Sequence, residues 1–152
     1  MKIFRPIMVV GMALLLGGVV MAKGSKPRPA SEAREPAKKG SQLTVYYLHG
    51  SYRCPTCLSI EKQSKEVVEG EFKKEIGGGK VVYQSLNTEE AGNEHFVQDY
   101  SLMTKSLVLS FRKDGKEVKW KNLPDIWTTV HTPDKFREYV MGEVKAMLKE
   151  MK

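Results

Sequence analysis

The sequence predicts an α/β domain in which a central mixed sheet is flanked by helices. Three observations predict it: two β-rich runs separated by a helix-length amphipathic segment, a tight hairpin signal further on, and a helical pattern near the end of the chain. The order is strand, helix, strand, helix, strand, strand, helix.

"LTVYYLHG", beginning at Leu43, is a β-rich run stopped by Gly50. Residues 55–72 then carry Ile60, Val67, Val68 and Phe72 on one helical face, with Pro55 suited to the first position because its ring fixes φ and it has no N–H to leave unpaired. "KVVYQSLN" is a second strand entered through Gly77-Gly78-Gly79. Residues 89–102 place Phe96, Val97 and Tyr100 at helical spacing, and the acidic cluster "NTEEAGNE" opens that helix. "SLVLSFRKDGKEVKWKN" reads as two strands about an Asp114-Gly115 turn. Thr132-Pro133 caps a last helix bearing Phe136, Val140, Val144, Met147 and Met151. Strands joined through a helix should run parallel, the hairpin adds an antiparallel pair, and the last helix packs over the sheet. Trp120 and Trp127 are expected to seal the sheet edge against that helix.

Ahead of the domain, "MKIFRPIMVVGMALLLGGVVMAKG" sets Lys2 and Arg5 before an uncharged run, with Val20 and Ala22 at the small-residue positions of a cleavage site. Residues 1–22 therefore read as an export signal peptide. The run is shorter than the roughly 20 apolar residues of a spanning helix, but Lys23, Lys26 and Arg28 behind it make an uncleaved anchor the alternative. Residues 23–42 hold three prolines, no aromatic residue and no apolar side chain larger than alanine, so they have nothing to bury. They read as a flexible basic linker with a reach on the order of 25 Å. Residues 43–152 are one small domain. The expected location is exported and periplasmic or otherwise extracytoplasmic, with membrane proximity through the N-terminus, and a monomer is expected.

The net charge of +7 would suggest an anionic partner if it covered a folded surface. It does not. Residues 1–22 contribute two basic groups and residues 23–42 six against Glu32 and Glu35, which leaves 17 basic and 16 acidic residues in 43–152. A nucleic-acid role has no basic face to stand on.

The only two cysteines stand in Cys54-Pro55-Thr56-Cys57, where the first strand gives way to the first helix. A thiol at that terminus meets unpaired backbone N–H groups and the positive end of the helix dipole, which favour its thiolate. Arg53 adds a cation beside it. Cys54 is thus the expected nucleophile and Cys57, one turn inside the helix, the resolving thiol. Tyr52, two residues before Cys54, can shield the pair or meet a substrate. His49 either ends the strand or serves the site as a proton shuttle. His95 is expected in solvent and His131 in the loop before the last helix, while Tyr46, Tyr47 and Tyr83 read as packing residues. An inert disulfide is the plain alternative, but a bridge closing so short a loop stabilises little. A second alternative is Cu(I) or another soft metal held by Cys54, Cys57 and His49, and a third is a non-catalytic interaction domain. No cofactor is expected beyond the Cys54–Cys57 disulfide.

Layout and motif together resemble thioredoxins over about the last 110 residues. More narrowly, "YYLHGSYRCPTC", "NEHFVQDYSLMTKS" and "KDGKEVKWKNL" resemble a family of small exported bacterial thioredoxin-like proteins labelled nitrophenyl compound nitroreductase subunit. The resemblance implies thiol–disulfide exchange with a protein thiol or disulfide, or with a membrane redox partner. Two departures follow from it. The cis-proline that thioredoxins keep before their third strand is replaced by Thr104-Lys105-Ser106, which puts Ser106 at the docking surface, and the acid they bury beneath the disulfide would fall near Leu48. No carboxylate lies between Glu35 and Glu61, so His49 or water would have to move the proton.

Overall fold

The computed structural model describes residues 40–151. The expected leader, and the expected linker up to residue 39, lie outside the described residues. The elements are β1 (Ser41–His49), α1 (Pro55–Glu71), α2 (Lys73–Gly77), β2 (Val81–Asn87), α3 (His95–Asp99), β3 (Ser106–Lys113), β4 (Lys116–Asn122), α4 (Ile126–Thr129) and α5 (Pro133–Glu150). The sheet order is β2-β1-β3-β4. Strand β1 runs parallel to β2, from Leu43 opposite Val81 to His49 opposite Asn87, and antiparallel to β3, with Val45 opposite Leu109. Strands β3 and β4 are antiparallel. This is the thioredoxin-like α/β arrangement that the sequence predicts. Among the described residues no helix is long and apolar enough to cross a membrane.

Alternation along β1 divides the core. Leu43, Val45 and Tyr47 join Ile60, Val68, Phe136, Val140 and Val144 in the main core, on the side taken by α1 and α5. Tyr46 and Leu48 form a second cluster with Val108 and Tyr100. Full burial of each large apolar side chain contributes about 1.5–3 kcal/mol, so most of the apolar stabilisation lies on the side that carries α1.

Several boundaries differ from the sequence reading. Strand β1 begins at Ser41, inside the expected linker, because Ser41 and Gln42 find partners in Lys113 and Arg112, and Gln42 Nε2 also donates to the Gly79 carbonyl at 3.1 Å. The helix expected over 89–102 shrinks to the single turn of α3. Its acidic opening is used elsewhere: the Glu89 carboxylate accepts from the Ser51 N–H at 3.0 Å, Asn93 Nδ2 donates to the Asn87 carbonyl at 3.0 Å, and Gly92 takes φ +96°. Aromatic packing covers that side of the sheet instead, with Tyr46 5.2 Å and Tyr100 5.8 Å from Phe96 between ring centroids.

Trp120 belongs to this aromatic group, 5.3 Å from Tyr100, rather than to the seal against α5. Trp127 does pack against the main core, and its indole N–H donates to the Lys105 carbonyl at 3.1 Å. The hairpin forms as predicted, with φ +50° at Asp114 and +80° at Gly115, the left-handed pair that a two-residue turn of this kind requires. The register shift at Phe111/Arg112 leaves Val118 outside the pairing.

Ile60→Ala, which empties a fully buried position between α1 and the sheet, is expected to lower stability by about 2–5 kcal/mol in equilibrium urea unfolding. Val118→Ala, at an exposed bulge, should stay within about 0.5 kcal/mol.

Candidate functional site

The site forms where β1 ends, the chain turns at Gly50 and α1 begins. Cys54 is the N-cap of α1 in extended conformation, its carbonyl accepts from the Leu58 N–H at 3.0 Å, and Pro55 occupies the first turn. The Cys57 N–H donates to Cys54 Sγ at 3.2 Å. Cys54 and Cys57 are joined in a disulfide, with Cα atoms 5.0 Å apart. Their exposures differ: Cys54 is half-buried, whereas Cys57 is 1% exposed. The Tyr47 hydroxyl donates to the Cys57 carbonyl at 2.8 Å. Burial pushes that phenol up to about 12, against the Arg53 charge, which lowers it.

Arg53 does not extend into solvent. One guanidinium nitrogen lies 3.0 Å from His49 Nε2, and the other pairs with Glu61 Oε2. His49 is buried at the end of β1, and its Nδ1 lies 2.9 Å from the Gly50 carbonyl. Because a carbonyl only accepts, the Gly50 contact assigns His49 a proton on Nδ1, while the same Arg53 nitrogen lies 3.4 Å from Nδ1 as well and so rests against the imidazole ring rather than on one lone pair. Glu61 in turn accepts from Ser85 Oγ on β2, and its backbone carbonyl accepts from the Tyr83 hydroxyl at 3.2 Å. Arg53 and Glu61 together thus tie β1, the loop, α1 and β2 at the start of α1.

A second set of bonds fixes the loop from the other side. Glu89 accepts from the Ser51 N–H, Asn87 Nδ2 donates to Ser51 Oγ at 3.1 Å, and the Thr88 N–H donates to the His49 carbonyl at 2.7 Å. Hydrogen bonds from Ser51 hold the Glu89 carboxyl below its ordinary range, with Lys105 and His49 adding to the effect. A Cβ at Gly50 would stand 2.5 Å from Glu89 Oε1, so a larger residue there would turn the Glu89 carboxylate away from Ser51. An open cleft of about 330 Å³ runs beside this loop, between Gly50 and Glu89 on one side and Val97, Met103 and Lys105 on the other.

The structure brings His49, Tyr52, Arg53, Cys54, Pro55, Thr56 and Cys57 together in this corner. Tyr52 is 76% exposed, and Lys105 Nζ lies 5.5 Å from its ring centroid, so the segment before β3 does meet the loop. Ser106 itself is buried, with Oγ donating to the Thr104 carbonyl at 2.9 Å. His95 is on the surface against Asp99, and His131 is exposed before α5; neither joins the site.

The position near Leu48 is on the wrong side of the sheet for an acid beneath the disulfide, since Leu48 packs with Tyr46, Tyr100 and Val108 while Tyr47 is the strand residue that reaches Cys57. The carboxylate that reaches this corner from α1 is Glu61, which pairs with Arg53. Its signal in the sequence is spacing: it follows Cys57 by four residues and so shares its side of α1. Both ring nitrogens of His49 have protein partners, and among the described residues no group of three or more His, Cys, Asp or Glu is placed to hold a metal ion.

No family model matches the chain, and no curated protein matches it. Solved structures similar to it include a thioredoxin from Fasciola hepatica, with 20% identity over 75% of this chain and 84% of that one and a TM-score of 0.42. Another is Trxlp from Edwardsiella tarda EIB202, with 16% identity over 74% of this chain and 93% of that one and a TM-score of 0.41. A third is thioredoxin f2 from Chlamydomonas reinhardtii, with 12% identity over 66% of this chain and 88% of that one and a TM-score of 0.35. At such values the fold assignment rests on strand order and register. A disulfide at the N-terminus of α1 in this fold fits thiol–disulfide exchange.

Ser51→Ala, which removes one of the bonds holding the Glu89 carboxyl low, should move the Glu89 carboxyl midpoint upward in an NMR titration. The sign for stability follows: a carboxyl with a depressed folded-state midpoint stabilises above its unfolded midpoint and loses that contribution as pH falls through the folded one. The variant should therefore lose less stability than wild type on acidification. An unmoved Glu89 midpoint would show that the Ser51 hydroxyl does not hold this carboxylate, since the variant keeps the N–H bond.

Proposed function

We propose that the protein is an exported thiol–disulfide oxidoreductase that uses Cys54 and Cys57 on a protein thiol or disulfide, or on a membrane redox partner. The observation that carries the reading is the asymmetry of the pair at the start of α1: one cysteine half-buried at the cap, the other buried one turn along. In the reducing direction the Cys54 thiolate attacks one sulfur of a substrate disulfide, the substrate S–S bond breaks, and its second sulfur leaves as a thiolate that takes up a proton. Cys57, deprotonated, then attacks Cys54 Sγ and displaces the first substrate sulfur. The pair is oxidised by two electrons and the substrate is reduced by two. The same steps in reverse insert a disulfide.

Export rests on the leader-like residues 1–22, and proximity to a membrane on the basic linker behind them. The resemblance to the nitroreductase-subunit family supports a redox role in company with another protein, and the protein is taken to act as a monomer. Cu(I) binding by the same cysteines is less well supported, because His49, the third ligand of that reading, is engaged by Gly50 and Arg53.

Single-cysteine variants separate the readings. Cys57→Ser should accumulate a mixed disulfide through Cys54 in extracts of the native host, and Cys54→Ser should accumulate little, because its remaining sulfur is buried. If the pair is a metal site, both variants should lose Cu(I) to a similar extent and neither should trap a partner. Equal trapping by both would contradict the asymmetry of the pair, and greater trapping by Cys54→Ser would reverse the assignment of roles.

A further inference from the structure

The geometry points to Glu61 as a positioning residue that sets the redox balance of the pair by holding and neutralising Arg53. The inference rests on the oxidoreductase reading and assigns a role that Cys54, Cys57 and Arg53 alone do not. Arg53 immediately precedes the N-cap cysteine, where a free guanidinium would add to the field of the helix terminus and favour the Cys54 thiolate. The guanidinium is instead drawn onto Glu61, with Ser85 Oγ donating to the other carboxylate oxygen and the second guanidinium nitrogen resting against the His49 ring. Arg53 Nε is buried without a hydrogen-bond partner. Because Arg53 is bonded in the chain to the N-cap cysteine, its charge, offset by the Glu61 carboxylate, gives a tunable field at the start of α1.

The other ionisable groups facing Arg53 are Tyr47 and His49 from β1 and Tyr83 from β2. Burial raises both phenols, so they are neutral near pH 7, and the Arg53 charge is felt at each of them. Glu89 and Lys105 lie across the loop, with Glu89 bound to Ser51 and Lys105 over Tyr52. Glu61 is therefore the group that directly offsets the guanidinium. Neutralising it removes a negative charge and unmasks a positive one near Cys54. Both changes stabilise the reduced form, in which a thiolate is present, over the uncharged disulfide. The relevant exchange is protein disulfide with two glutathione thiols, giving protein dithiol and glutathione disulfide, in which two electrons pass to the protein pair.

The test uses the full chain and glutathione as redox buffer. Glu61→Gln keeps the side chain's shape and one acceptor oxygen, and should move the equilibrium constant toward the reduced protein by about three- to tenfold, with faster alkylation of Cys54 by iodoacetamide at neutral pH. Arg53→Gln leaves the Glu61 charge uncompensated and should move both quantities the opposite way. The double variant should return near wild type, because the pair it removes is close to neutral. If Glu61→Gln fails to fold, Arg53→Gln alone still decides, since an unchanged equilibrium constant there overturns the proposal. Folded variants with lower stability but wild-type equilibrium constants would show that the ion pair is a fastening only. The glutathione equilibrium needs no substrate protein, so its failure overturns the tuning alone. An absence of any mixed disulfide with a partner would instead overturn the oxidoreductase reading and leave the electrostatic result standing.

Discussion

Helix α1 begins at Pro55 because Cys54 can cap it: its extended backbone lets the carbonyl open the helical ladder to Leu58 while the sulfur takes the N–H of Cys57. The other features of the site depend on that starting point. It puts one sulfur at the rim, where orphan N–H groups and the helix dipole act on it, and it turns the other inward one turn later. It also sets Glu61 one turn beyond Cys57, within reach of an arginine that precedes the cap. A helix starting two residues later would break the cap, and Arg53 would no longer face both β1 and α1.

Beside the start of α1 the chain places the buried Tyr47 and His49 and the partly exposed Tyr83, Ser85, Glu61 and Arg53. Burying these groups is costly unless each finds a partner. Most do, through contacts that run from the Gly50 carbonyl through His49 and Arg53 to Glu61 and Ser85. The apolar stabilisation lies farther along the same side, where α5 crosses α1 over Ile60, Val68, Phe136 and Val140. The division of labour is therefore spatial: packing toward one end of α1 holds the fold, and polar contacts at the other end hold the disulfide in its setting.

Much of this was legible in the sequence because its signals are local. Alternation in "LTVYYLHG", the Asp114-Gly115 turn and the apolar face of α5 each identify their element without reference to the rest. The cysteine pair at a strand-to-helix junction carries its chemistry in its spacing. What was not legible depends on long-range competition. The helix expected over 89–102 lost its first residues because Glu89 and Asn93 found better partners 38 and six residues away. Trp120 went to the aromatic side because the register shift in β4 fixes which residues face Tyr100. The resemblance to thioredoxins puts the position beneath the disulfide near Leu48, whereas the pleat of β1 gives that place to Tyr47. Glu61 was visible only as a residue four past Cys57, and nothing local distinguishes it from the other carboxylates of α1.

Whether the pair is a working couple or an inert bridge is decided most directly by its reduction potential, measured against glutathione on the anaerobic full-length protein with copper assayed in the same preparation. A reversible two-electron couple between about −270 and −120 mV, the range of thiol–disulfide exchange proteins, with no stoichiometric copper, is the expected result. A potential below about −300 mV, as for structural disulfides, or one copper retained per chain against a competing chelator, would contradict the account.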